Sequence, residues 1–195
     1  MALSRAPIPP GGMRGFTLIE LMVTLTVLAI VLSLAAPSFA SLLASNRMAT
    51  QTNELIGALN LARSEAVRRS QPVTLLAANA NYSKGWKVFP DANGNGAAAS
   101  ATDPADGLPI RENSAFGGTV TLKRQTCTGS PCTYADSTEA DITYLVFNER
   151  GGISAISTPA YFKVCDPSRT SIKGRLLQVN LVGKISLVST DLACT

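Results

Sequence analysis

Between Leu21 and Asn46 the chain carries no Lys, Arg, Asp or Glu, a run of 26 residues. Folded as a helix, such a run is long enough to cross the roughly 30 Å hydrocarbon core of a bilayer. Arg5 and Arg14 precede it and no acid comes before Glu20, so the positive-inside bias puts Met1 in the cytoplasm. A secretory signal would have a shorter apolar core ending at a small-residue cleavage site; this run continues into more helical pattern. A plain membrane anchor accounts for the length but not for Glu20. A carboxylate in such a segment costs about 2.5–3.5 kcal/mol on insertion scales, which makes it a functional-site candidate.

The rest of the composition narrows the choice. The net charge of +4 falls to +2 once Arg5 and Arg14 are removed, so the basic balance alone says little for a nucleic-acid partner. The chain contains no histidine. The commonest general base and metal ligand is therefore missing, along with every Ser-His or Cys-His arrangement. With no paired carboxylates in a recognisable setting either, an enzyme is not expected, nor a cofactor. The four cysteines, Cys127, Cys132, Cys165 and Cys194, all lie in the C-terminal half. Without histidine they make a poor zinc site, and disulfides in an oxidising compartment fit better. That half is expected across a membrane from the cytoplasm.

After Arg47 the helical pattern becomes amphipathic. Met48, Thr52, Leu55, Leu59, Ala62 and Ala66 recur at three- and four-residue steps, with Arg63, Glu65, Arg68 and Arg69 on the other side. Pro72 stops the helix, which is read from Phe16 to about Ser70, with a bend or local melting at Pro37. Short strand patterns follow: 73–77, 84–89, 119–124, 142–147, 161–165, 175–181 and 184–188, with Val182-Gly183 as a tight turn between the last two. Strand after strand without intervening helices implies an antiparallel sheet. The fold class is α+β, a long N-terminal helix packed on a C-terminal antiparallel β-sheet domain.

Gly15-Phe16-Thr17-Leu18-Ile19-Glu20-Leu21 resembles the type IV prepilin motif. The resemblance implies that a membrane-embedded prepilin peptidase cuts between Gly15 and Phe16 and methylates the new N-terminus at Phe16. Glu20 is then the assembly carboxylate. A buried carboxylate needs a cationic or hydrogen-bonding partner, and the Phe16 amine of a neighbouring subunit supplies one. The chain then divides into a cleaved leader, 1–15; a transmembrane or filament-core helix, 16–46; an amphipathic helix, 47–71; and a globular domain, 72–195. The stretch Leu61-Ala62-Arg63-Ser64-Glu65-Ala66-Val67 resembles the arm of the GspH/FimT/FimU branch of pilin-like proteins. Gly85-Trp86-Lys87-Val88-Phe89-Pro90-Asp91 and the Gly/Asn-rich loop after it are also familiar from that branch.

The resemblance implies a minor pilin that helps initiate or cap a type IV pilus, with a GspH-type pseudopilin of type II secretion as the alternative. Its partners are the prepilin peptidase, other major and minor pilins, and the inner membrane. It would span that membrane once, N-terminus cytoplasmic and C-terminal domain periplasmic, before entering the pilus or pseudopilus. A further alternative is a DNA-binding minor pilin of a natural-transformation pilus. From Pro167 to Thr190 there is no acid, and Arg169, Lys173, Arg175 and Lys184 can contact phosphates. In the FimT branch a Gly-Arg-x-Arg motif here goes with DNA binding; Gly174-Arg175-Leu176-Leu177 keeps the glycine and first arginine and lacks the second. No aromatic side chain interleaves the four cations, so stacking on single strands is not expected.

Four cysteines permit three connectivities. Cys127 and Cys132 enclose the turn-like Thr-Gly-Ser-Pro, which suits a local bridge. The stapled C-terminal region common in pilins favours Cys165 with Cys194. Asp91-Ala92-Asn93-Gly94-Asn95-Gly96 opens like a calcium loop, but its twelfth position, where a bidentate Glu is required, is Thr102. Asn-Gly repeats form turns first, and no metal is assigned.

Overall fold

A 52-residue helix, α1 (Leu18–Arg69), leads the chain. The computed structural model describes residues 15–96, 107–117, 120–127, 137–139, 143–154, 156–169, 172–192 and 194. The first of two compact units ends at Leu42 and the second begins at Leu43. In the first unit every large apolar side chain of α1 up to Leu34 is more than half exposed. The helix passes through position 37 without the melted turn that a proline there suggests. It is long and apolar enough to cross a membrane by length and composition.

In the second unit the same helix becomes one-sided. Met48, Thr52, Leu55, Leu59, Ala62 and Ala66 are all buried, joined by Ala44, Gln51 and Ala58. This is the stripe that a 3.6-residue period dictates. The helix ends in a Schellman motif. Ser70 takes a left-handed φ of 53°, its N–H donates to Val67 O, and Gln71 N–H donates to Ala66 O. Pro72 then bars continuation.

Ten strands follow among the described residues: β1 (Val73–Ala77), β2 (Trp86–Pro90), β3 (Arg111–Asn113), β4 (Thr121–Cys127), β5 (Ser137–Glu139), β6 (Tyr144–Phe147), β7 (Ile153–Ser154), β8 (Ala160–Cys165), β9 (Gly174–Val179) and β10 (Ile185–Leu192). They form two five-stranded sheets, in the orders β3-β2-β1-β6-β7 and β10-β9-β8-β4-β5. Every pairing is antiparallel. The central strands are apolar runs with almost no exposed position: β8 is buried throughout and β1 at four of its five residues. Strands covered on both faces read this way.

One core joins the helix to both sheets. Leu55, Leu59 and Ala62 share it with Leu75, Trp86 and Phe147 of the first sheet and with Leu122, Phe162 and Leu177 of the second. Two edge-to-face aromatic pairs, Tyr82 with Phe162 and Trp86 with Phe116, each have centroids 5.3 Å apart. Such pairs add about 0.5–1.5 kcal/mol beyond the area they bury.

The seven strand patterns all meet strands, the first at its expected bounds and the other six with shifted ends. The second starts at Trp86 because Tyr82–Lys84 forms a 3₁₀ turn. The sixth stops at Val179 because Asn180 opens the hairpin to β10: Asn180 N–H donates to Lys184 O, and Gly183 N–H donates to Asn180 O. The three strands without a sequence signal, β3, β5 and β7, have three, three and two residues. Each is an edge strand or a stub, held by a neighbour's backbone rather than by an apolar pattern of its own.

Cys165 and Cys194 form a disulfide with Cα atoms 5.5 Å apart, closing 29 residues. The pairing of Cys127 with Cys132 lies outside the described residues, as do the Gly96–Gly107 loop's positions 97–106 and leader residues 1–14. The chain-entropy model gives a loop of this length about 3–4 kcal/mol. Cys194→Ser should therefore lower the unfolding free energy by about that amount, seen as a lower urea midpoint with little change in slope. An unchanged midpoint would show that the bridge does not hold the tail.

Candidate functional site

At the start of α1, Gly15, Phe16 and Thr17 are non-helical and Leu18 begins the helix. Thr17 N–H and Thr17 Oγ1 each donate to Glu20 Oε2 at 3.0 Å, and Glu20 N–H donates back to Thr17 Oγ1 at 3.3 Å. This is a capping box: the first-turn carboxylate and the N-cap hydroxyl satisfy each other's backbone donors. Within a single chain, then, Glu20 already has work as a helix cap. The Thr17-x-x-Glu20 spacing is itself a sequence signal for this cap, passed over by a reading centred on the apolar segment. The site is exposed, with Phe16 among the most exposed large apolar residues. A partner can reach the carboxylate there.

The four candidate DNA-contacting cations do not gather in one place. Arg169 sits in the turn after β8, where its N–H donates to Asp166 O. Lys173 is exposed just before β9, and Arg175 is half-buried within β9, opposite Val164. Lys184 lies beyond the other end of that strand, where its N–H donates to Asn180 Oδ1 at 2.7 Å. Five residues of strand, about 17 Å, separate Gly174 from Val179. Three of the cations are therefore at one end of the strand and the fourth is at the other. Gly174, which continues the DNA-motif resemblance, has a structural reason to be glycine. A Cβ there would lie 2.5 Å from Cys165 Sγ and 2.7 Å from Cys194 Sγ.

Asp91, the first position of the calcium-like loop, is fully buried. Its Oδ2 accepts from Thr74 Oγ1 and from Gly96 N–H, and its Oδ1 accepts from Asn95 N–H. The chain's own donors occupy both oxygens, and the carboxylate organises the turn after β2.

At the other end of α1 the polar face is more structured than its charges suggest. Glu65 accepts from Arg68 Nε at 3.0 Å and from Arg69 Nε at 2.7 Å. These hydrogen bonds, Arg68's first, hold its carboxyl down at about 2. Arg63, expected on the solvent side, instead turns toward the sheets. Its Nε donates to Gly151 O at 3.1 Å and its Nη2 to Val182 O at 3.4 Å.

Comparison with known proteins places these features. A family model described as type II transport protein GspH matches residues 51–183. A second, the prokaryotic N-terminal methylation motif, matches residues 12–36. No curated protein sequence matches the chain. Among solved structures, the type IV minor pilin FimU of Pseudomonas aeruginosa matches in two crystal forms. One has 22% identity, a TM-score of 0.56, and coverage of 77% of this chain and 96% of that one. The other has 24% identity, a TM-score of 0.51, and coverage of 75% and 98%. The minor pseudopilin EpsH of the Vibrio cholerae type 2 secretion system matches at 11% identity and a TM-score of 0.45, covering 70% and 92%. The FimU likeness is one of fold: a long helix on antiparallel sheets. With the GspH model spanning residues 51–183 and the methylation motif at its head, the chain belongs to the GspH family of pilin-like proteins, the minor pilins and pseudopilins.

Proposed function

We propose that this chain is a minor pilin of a type IV pilus. It is made as a precursor, cut by prepilin peptidase between Gly15 and Phe16, methylated on Phe16, and built into the filament that it initiates or caps. The observation that carries this reading is the opening of α1. A carboxylate, Glu20, stands at the head of a helix whose apolar side chains are exposed, directly after the Gly15-Phe16 junction. Residues 16–46 serve first as a membrane span and then as filament core. Residues 47–71 carry the domain 72–195 on the periplasmic side. The partners are the peptidase, other pilins and the inner membrane.

The family's own description supports a second reading, a GspH-type pseudopilin of type II secretion. One chromosomal substitution tests both. Gly15→Val should leave the uncut precursor in the membrane, with no methylated Phe16 N-terminus by mass spectrometry, and should remove surface pili while sparing protein secretion. Loss of secretion with pili intact selects the pseudopilin reading. Normal cleavage sinks both. A role in binding DNA through Arg169, Lys173, Arg175 and Lys184 finds no single footprint in their positions, and we rank it below the other two.

A further inference from the structure

The buried stripe at the end of α1 is smooth. Ala58, Ala62 and Ala66 are spaced by one turn and have no exposed surface, as do Leu55 and Leu59. A one-turn shift would exchange Leu55 for Leu59 and one alanine for the next. Apolar contact is non-directional, so these residues hold the helix down without saying where along it the neighbouring loops belong. Directional bonds must do that.

Arg63 is where they converge. One of its two acceptors, Gly151 O, is in the turn between β6 and β7 of the first sheet. The other, Val182 O, is in the hairpin between β9 and β10 of the second. The two loops also touch each other. Ile153 N–H donates to Leu181 O at 3.0 Å, and Gly183 approaches Gly151 so closely that a Cβ on it would lie 1.8 Å from Gly151 O. Gly151 and Gly183 both have left-handed φ, 77° and 76°, a conformation that glycine adopts without steric cost. Toward the other end of the stripe, Gln51 Nε2 donates to one carbonyl, Gly117 O, at 3.2 Å. Arg63 alone among the described residues of α1 bonds loops of both sheets.

We propose that Arg63 is a positioning residue: a planar, five-donor fork that fixes the 148–152 turn and the 180–184 hairpin on α1, and so sets where the exposed hairpin tip is presented. That tip carries Leu181 and Val182, 44% and 67% exposed; Val67 of the helix, 51% exposed, lies against Gly151 of the facing turn. Without the guanidinium the two carbonyls keep no tie to the helix and the tip samples a range of positions. The role gives a reason for the arginine in the Ala62-Arg63-Ser64-Glu65-Ala66 run, and it is independent of which machine the subunit serves.

The test is a pair of distance measurements by pulsed electron resonance on the full chain in detergent micelles, with the native disulfides left oxidised. Spin labels at Asn60 and Val182 report the hairpin against the helix. Labels at Asn53 and Glu112 report the helix against the far edge of the first sheet. Arg63→Ala should turn the narrow 60–182 distance into a broad distribution and leave the 53–112 distance narrow. Arg63→Lys should recover part of the sharpness, since an ammonium reaches one carbonyl at a time. Should Arg63→Ala not be recoverable, Arg63→Gln is read the same way. A 60–182 distribution as narrow as the parent's overturns the proposal, and so does equal broadening of both pairs, which is general loosening rather than positioning.

Discussion

Glu20→Val should yield a chain that is cleaved and methylated normally yet is missing from purified filaments. The capping box makes a second substitution more informative. Glutamine serves at the third helical position of such a box as well as glutamate does, so Glu20→Gln keeps the bonds from Thr17 and removes only the charge. In the proposed filament a neighbour's Phe16 amine, held in an apolar core, loses its counter-ion in both variants. Breaking one partner of a buried pair costs about 3–5 kcal/mol, enough to cut incorporation by two orders of magnitude or more. Incorporation is measured as the ratio of subunit in sheared filaments to subunit in membranes. If Glu20→Gln enters filaments like the parent while Glu20→Val does not, the carboxylate works as a helix cap and the charge-pairing role is wrong.

Gly183→Val should strongly destabilise the globular domain. The residue has a φ of 76°, which costs a non-glycine residue about 1–2 kcal/mol before any contact is considered, and more when the side chain is β-branched. Its Cβ would then overlap Gly151 O at 1.8 Å, with Arg63 Nε 3.1 Å away. The hairpin must move, giving up the Ile153 to Leu181 bond and the arginine's grip together. The sum is about 4 kcal/mol or more against a typical total of 5–15 kcal/mol. The urea midpoint should fall accordingly. Gly57 supplies the opposite control. It is exposed on α1 and a Cβ there meets nothing within 4 Å, so Gly57→Ala should raise stability by about 0.5–1 kcal/mol. Equal effects at the two positions would mean that the close approach at Gly183 is not what holds the hairpin.

The helix was legible because its signal is local. The six residues read as a stripe, from Met48 to Ala66, are all buried, with Ala44, Gln51 and Ala58 beside them. The same periodicity misled at Arg63, which it places on the solvent side. Nothing near residue 63 in the chain announces acceptors 88 and 119 positions away. The strands with apolar runs were legible too, and β1 matches its expected bounds. Their division into two sheets was not, because it rests on pairings between distant segments, β1 with β6 and β4 with β8. At the N-terminus the hydrogen bonds between Thr17 and Glu20 add a helix cap to the assembly role that the motif resemblance implies for the carboxylate. In the C-terminal region the four cations looked like a group because the chain between them lacks acids; a strand's length separates Lys184 from the rest.

The uncovered half of α1 has a thermodynamic consequence of its own. Its leucines, isoleucines and valines are exposed along the whole first unit, so water is the one phase closed to them. Lipid tails and the helices of other subunits are equally apolar, and neither wins on hydrophobicity. Under the proposed function, passing from bilayer to filament exchanges one oil for another, and the large transfer terms nearly cancel. What remains to set the direction is a few kcal/mol of polar pairing at one end of the helix. A subunit so balanced would pass either way between the membrane and the proposed filament at small net cost.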